Sequence, residues 1–220
     1  MFATRTLSPM LRMLPSALLR PFSKSARVPV HGCTGSTVPQ HMFDKGELGR
    51  ILLDTNIVSP VLDGKPLSPW FENVLQKSSL ATCQYNIAEY LTSAKVGTKM
   101  SYQDILKSLE NQKINILNGP CAGHESSVLG FELIQMTHKG MLTKPKTFKG
   151  YEKSKEKAQK HWDGIADARI DLVLACEAHH NRYAFLTADK NFYNKFKQSL
   201  DEKNVTVYCV ELEALTSTSK

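Results

Sequence analysis

Two short apolar runs that each stop at an acid constrain this chain more than any other feature. GRILL at 49–53 runs directly into Asp54, Thr55 and Asn56, and YAFLT at 183–187 is followed by Ala188 and Asp189. A run of about five apolar residues without polar alternation is too short for a core helix and suits a strand buried on both faces, which a parallel sheet supplies. Residues 114–117 and VTVYCV at 205–210 repeat the pattern. Between these runs the apolar residues return at helical spacing: Trp70, Phe71, Val74 and Leu75, then Ile87, Leu91 and Ala94, then Ile105, Leu106 and Leu109. Two further helices are predicted over 125–138 and over about 163–179, the second carrying Ile165, Ile170, Val173, Leu174 and Ala178. Strands alternating with helices predict an α/β fold in three layers, with a central mostly parallel sheet flanked by helices.

In such sheets ligands bind in the crevice beyond the carboxyl ends of the strands. Asp54 and Asp189 both follow a strand and so emerge at that edge. Asp171 belongs to the helix leading into the 183–187 strand, with Asp167 four residues earlier on the same helical face. Glu89 lies on the helix whose apolar ridge is Ile87, Leu91 and Ala94, and points away from that ridge, as a cleft residue can.

Gathering such acids is costly without a cation. Two carboxylates about 4 Å apart repel by roughly 4 kcal/mol at an effective dielectric of about 20. A divalent ion reverses that sign, and a set of oxygen donors suits Mg²⁺ or Mn²⁺, which also bridge to substrate phosphate and promote in-line attack of water on phosphorus.

The formal net charge of +7 is a weak argument for nucleic-acid binding once it is located along the chain. Residues 1–30 hold Arg5, Arg12, Arg20, Lys24 and Arg27 and no acid, a net of +5. Residues 144–160 hold seven lysines against two glutamates, another +5, which leaves the body at −3. The leader is rich in Arg, Ser and Leu, and Arg12, Pro15 and Arg20 interrupt any secretory apolar core. It reads as a mitochondrial transit peptide with a mature start near Val30; a basic arm acting in place is the alternative. No run is long enough to span a bilayer. The lysine-rich segment is either a solvated face or an RNA-backbone contact through Lys144, Lys146, Lys149 and Lys153, with Tyr151 and Trp162 as aromatic neighbours. Five dispersed cysteines without a CxxC pair indicate neither a zinc knuckle nor a disulfide framework and read as reduced, mostly core cysteines.

DTN after the first strand, AEY on a helix, and DLVLACEAHHNRYAFLTAD followed by NFY resemble the PIN domain, from about 49 to 212. PIN domains are similar in fold to five-prime nucleases, and many, the VapC-type toxins among them, cleave single-stranded RNA. The resemblance implies that Asp54, Glu89, Asp171 and Asp189 are the catalytic and metal-holding acids, with Asn56 and Thr187 supporting them. It also implies an RNA substrate, bound Mg²⁺ or Mn²⁺, and a homodimer. Asp167 is expected in support of these acids or as a first-turn helix acid. Two departures stand out: the lysine-rich segment looks like an insertion at about 141–160, and Asn191 occupies a position where some relatives carry a further acid. The expected organisation is a presequence at 1–30, a linker at 31–48 rich in Pro, Gly, Ser and Thr, the domain at 49–212 and a tail at 213–220. The expected function is a metal-dependent endoribonuclease in the mitochondrial matrix. The alternative is a catalytically silent RNA-binding or scaffold subunit of a mitochondrial RNA-processing or ribosomal complex. Taken singly, Asp54 also reads as a helix N-cap. A haloacid-type phosphatase fits less well, because it needs an acid where Asn56 stands.

Overall fold

Alternation along the central strands sets the architecture. The computed structural model describes residues 30–35, 40–93, 100–117, 124–138, 156 and 169–217. Within them six strands, β1 (Val30–Thr34), β2 (Arg50–Leu53), β3 (Ser79–Cys83), β4 (Asn115–Leu117), β5 (Ala184–Thr187) and β6 (Val207–Val210), form one sheet in the order β1-β6-β5-β2-β3-β4. β1 runs antiparallel to β6, and every other pairing is parallel. The described helices are α1 (Gln40–Asp44), α2 (Thr55–Leu62), α3 (Pro69–Lys77), α4 (Gln84–Ser93), α5 (Tyr102–Asn111), α6 (His124–His138), α7 (Arg169–His180) and α8 (Lys190–Glu202).

Successive side chains on a strand point to opposite faces, so a strand buried on both sides feeds two cores. In β2, Ile51 and Leu53 join α2, α3 and α5 through Ile57, Val58, Phe71, Val74, Ile105 and Leu109. Leu52, between them, joins the opposite core with Phe185, Leu172, Leu174, Phe192 and Phe196 from β5, α7 and α8. The result is the expected three-layer α/β fold. No helix among the described residues is long and apolar enough to cross a membrane.

Several expectations change. Residues 31–48, read from composition as linker, contain most of β1 and all of α1; Thr34 donates to Val205 O at 3.0 Å, and Phe43 is buried under Trp70. The tail from 213 is packed as well, with Leu215 buried, Leu215 O accepting from Ser68 N, and Leu67 bridged to Thr216. β3 was not anticipated at all. On α4 the buried ridge is Asn86, Ile87 and Tyr90, whereas Leu91, expected on it, is 40% exposed. Among the described cysteines, Cys83, Cys176 and Cys209 are buried and Cys33 is exposed, and none is in a disulfide. The leader 1–29, Asp167, Cys121 and the lysines at 144, 146, 149 and 153 lie outside the described residues.

Candidate functional site

From β2 the chain steps outward through β3 to β4, then returns to β5 on the other side of β2. The switch point of this parallel sheet therefore lies between the carboxyl ends of β2 and β5, where crevices form. Asp54 leaves β2 there, and its backbone amide still bonds Leu186 O of β5 at 3.0 Å. Asp189 lies two residues beyond β5.

Asp54 is 2% exposed and caps α2. Its Oδ1 accepts from Thr55 N at 2.7 Å, and its Oδ2 accepts from Asn56 Nδ2 at 2.7 Å and from the Thr187 hydroxyl at 2.6 Å. Asn56 closes the ring by accepting from Ala188 N through Oδ1 at 2.9 Å. Thr187 Oγ1 accepts in turn from Asp189 N at 3.0 Å. Both ends of the switch point are thus tied through one buried carboxylate. Burial pushes the Asp54 carboxyl up to about 6; the bonds from Thr187, Thr55 and Asn56 oppose that rise and the charge of Glu89 adds to it.

Asp189 caps α8, its Oδ1 accepting from Asn191 N at 2.7 Å and Phe192 N at 2.9 Å. Asn191, at the position noted as a departure, serves this cap through its backbone. Both strand-end acids therefore do what N-caps do, but Asp54 is also buried and bonded by two side chains, which capping alone does not require.

Asp171, in the first turn of α7, completes the acid cluster from the far layer. Its carboxyl is pushed up to about 8, first by burial, then by the charges of Asp54, Asp189 and Glu89 and by a hydrogen bond with Asp189. Glu89, on the exposed side of α4, accepts from the Thr55 hydroxyl through Oε2 at 2.5 Å. The four acids named from sequence thus converge on one another electrostatically, and Asn56 and Thr187 are their direct bonding partners.

Two participants were not anticipated as such. Thr55 contacts both Asp54 and Glu89. Asn86, 2% exposed, donates to Leu53 O, the last carbonyl of β2, and to Thr82 Oγ1 at 3.1 Å, fastening the start of α4 to the strand ends.

Among the described residues, no three acidic, histidine or cysteine side chains are spaced to hold a metal ion as they stand. Their oxygens are engaged by the protein instead: both of Asp54, Oδ1 by Thr55 N and Oδ2 by Asn56 and Thr187, and one each of Asp189 by the α8 amides and of Glu89 by Thr55, while Asp171 bonds Asp189. Like charges without a counterion relax apart and share protons. The donor set itself fits a hard divalent cation, since it is all oxygen and its most perturbed member, Asp171, is raised partly by three neighbouring carboxylates. No protein-family model matches the chain, and no curated protein matches it in sequence.

Proposed function

We propose that this chain is a PIN-like, Mg²⁺- or Mn²⁺-dependent endoribonuclease that hydrolyses phosphodiester bonds of single-stranded or structured RNA in mitochondria. The observation that carries this reading is the convergence of Asp54, Asp189, Asp171 and Glu89 at the switch point between β2 and β5, with Asp54 buried and clamped by Asn56 and Thr187. A structural capping role leaves unexplained why three further carboxylates come within electrostatic reach of a buried one.

Asp54, Asp171 and Asp189 would hold the cation with Glu89 completing the set, and the ion would supply positive charge beside the scissile phosphate and acidify water there. The residues of the chain do the rest. Thr187 and Asn56 fix the Asp54 carboxylate so that no reorganisation is needed when substrate arrives. The α8 amides fix Asp189 Oδ1. Asp171 retains a proton at neutral pH in the metal-free chain and releases it when positive charge enters the cluster.

A second reading, a silent RNA-binding or scaffold subunit of a mitochondrial RNA-processing or ribosomal complex, draws on the absence of chelating spacing among the described acids. Mitochondrial import rests on the acid-free leader. Endogenous protein recovered from the cytosol with Met1 intact would count against import.

Cleavage of end-labelled single-stranded RNA by the full chain, in Mn²⁺, in EDTA and with Asp54→Asn, separates the two functions. The nuclease reading expects products only with Mn²⁺ and Asp54 both present. Binding without cleavage across unrelated RNAs supports the scaffold.

A further inference from the structure

Thr55 reaches two of the four acids at once. Its amide donates to Asp54 Oδ1 at 2.7 Å, and its hydroxyl donates to Glu89 Oε2 at 2.5 Å, joining the end of β2 to α4 across 34 residues of sequence. A threonine hydroxyl has one proton, and here it goes to Glu89. Thr55 itself is 9% exposed, at the first position of α2.

Glu89 most needs such a bond. Unlike Asp54 and Asp189, it is not a helix cap; it stands in the middle of α4 on an exposed side, where a glutamate side chain is free to sample several rotamers. Yet its charge is felt by both Asp54 and Asp171, so it is oriented toward the cluster. Asn86 fixes the helix that carries it, and Thr55 fixes the carboxylate, leaving Oε1 as the oxygen not used by the threonine.

We propose that the Thr55 hydroxyl is a positioning group that selects the rotamer of Glu89 in which Oε1 faces the other three acids, and so sets the affinity of the site for a divalent cation. The inference rests on the metal-site reading given above. Thr55 touches no substrate in this scheme and acts only through Glu89.

Mn²⁺ binding to the full chain, measured by calorimetry on wild type, Thr55→Val, Thr55→Ser, Glu89→Gln and the Thr55→Val/Glu89→Gln double variant, tests it. Valine keeps the amide bond to Asp54 and the shape of the side chain while removing the donor; thermal unfolding of each variant confirms that it is folded. The expected result is Mn²⁺ affinity about tenfold weaker in Thr55→Val, the scale on which groups orienting metal ligands act, restored in Thr55→Ser. In the Glu89→Gln background the valine should add no further loss, which a merely structural defect would not reproduce. Wild-type binding left unchanged by Thr55→Val, or the same loss with and without Glu89, overturns this inference alone. A wild-type chain that binds no Mn²⁺ overturns the metal-site reading and this inference with it.

Discussion

The two halves of the acid cluster are built differently. At the sheet edge, Asp54 sits in a closed ring of Asn56, Thr187, Thr55 and Ala188, and the bonds to its carboxylate oppose burial although burial still wins. On the helices, Asp171 has no such ring: burial and three like charges act on it together, and its bond to Asp189 depends on a shared proton. The first half is preorganised without a cation, whereas the second is stable only with a proton or a cation present. On the proposed metal-site reading, the strands would hold the shape of the site and the helices its affinity.

The largest effect expected falls on chemistry. Asp54→Asn should lower RNA cleavage by roughly two to three orders of magnitude, because preorganised electrostatics at a reacting phosphate is lost. Measured rates within a few-fold of wild type would remove Asp54 from the centre of the comparison.

Breaking the ring itself should cost stability. Thr187→Val leaves a buried Asp54 oxygen short of a donor and should lower the unfolding free energy by about 1–3 kcal/mol in urea titrations. A neutral outcome would mean that the sheet-edge half is less preorganised than its bonds imply.

The helical half predicts a pH dependence. Asp171 and Asp54 have folded pKa values of about 8 and about 6, above the ordinary carboxylate value of 3.8, so the folded state binds their protons more tightly. In the metal-free chain their contribution to stability is most favourable at low pH and is lost as pH rises through about 6 and then about 8. Mn²⁺ competes with those protons, so its upward shift of Tm should be larger at pH 8 than at pH 5.5. Equal shifts at both pH values would separate any cation site from these two acids.

The smallest effect is a control. Ser68 caps α3 through Phe71 N and donates to Ala214 O, with no acid of the cluster among its partners. Ser68→Ala should cost about 1 kcal/mol and leave Mn²⁺ affinity unchanged.

The half that was legible in sequence is the half governed by strand direction. An acid directly after β2 and another just after β5 must share one edge of a parallel sheet, so Asp54 and Asp189 are placed together without knowing how the helices pack, while Asn56 and Thr187 join them only through the resemblance. The bond between Thr55 and Glu89 depends on how α4 settles over β2, which no local pattern encodes. β3 escaped notice because SLATC is small and partly polar, and it reads as a strand only once β2 and β4 flank it. β1 escaped because VHGCT contains a glycine and borders turn-like residues; a Cβ at Gly32 would meet the Tyr193 side chain of α8, so the close packing there suits the residue that disguises the strand. On α4, Leu91 fits an ideal apolar ridge, but Asn86 bonds the buried Leu53 O and Thr82 and Tyr90 bonds Asp63, which turns the helix toward them.

Thermal unfolding at pH 8 of wild type and Asp171→Asn, each in EDTA and in Mn²⁺, tests most directly whether the cluster is built for a cation. Removing one unbalanced carboxylate should raise Tm by a few degrees in EDTA, since the charged form is disfavoured in the fold above pH 4, and should lower Tm relative to wild type in Mn²⁺, where a ligand is missing. Inversion of the order is the predicted result. A variant less stable than wild type in EDTA, with neither protein shifted by Mn²⁺, would contradict the account.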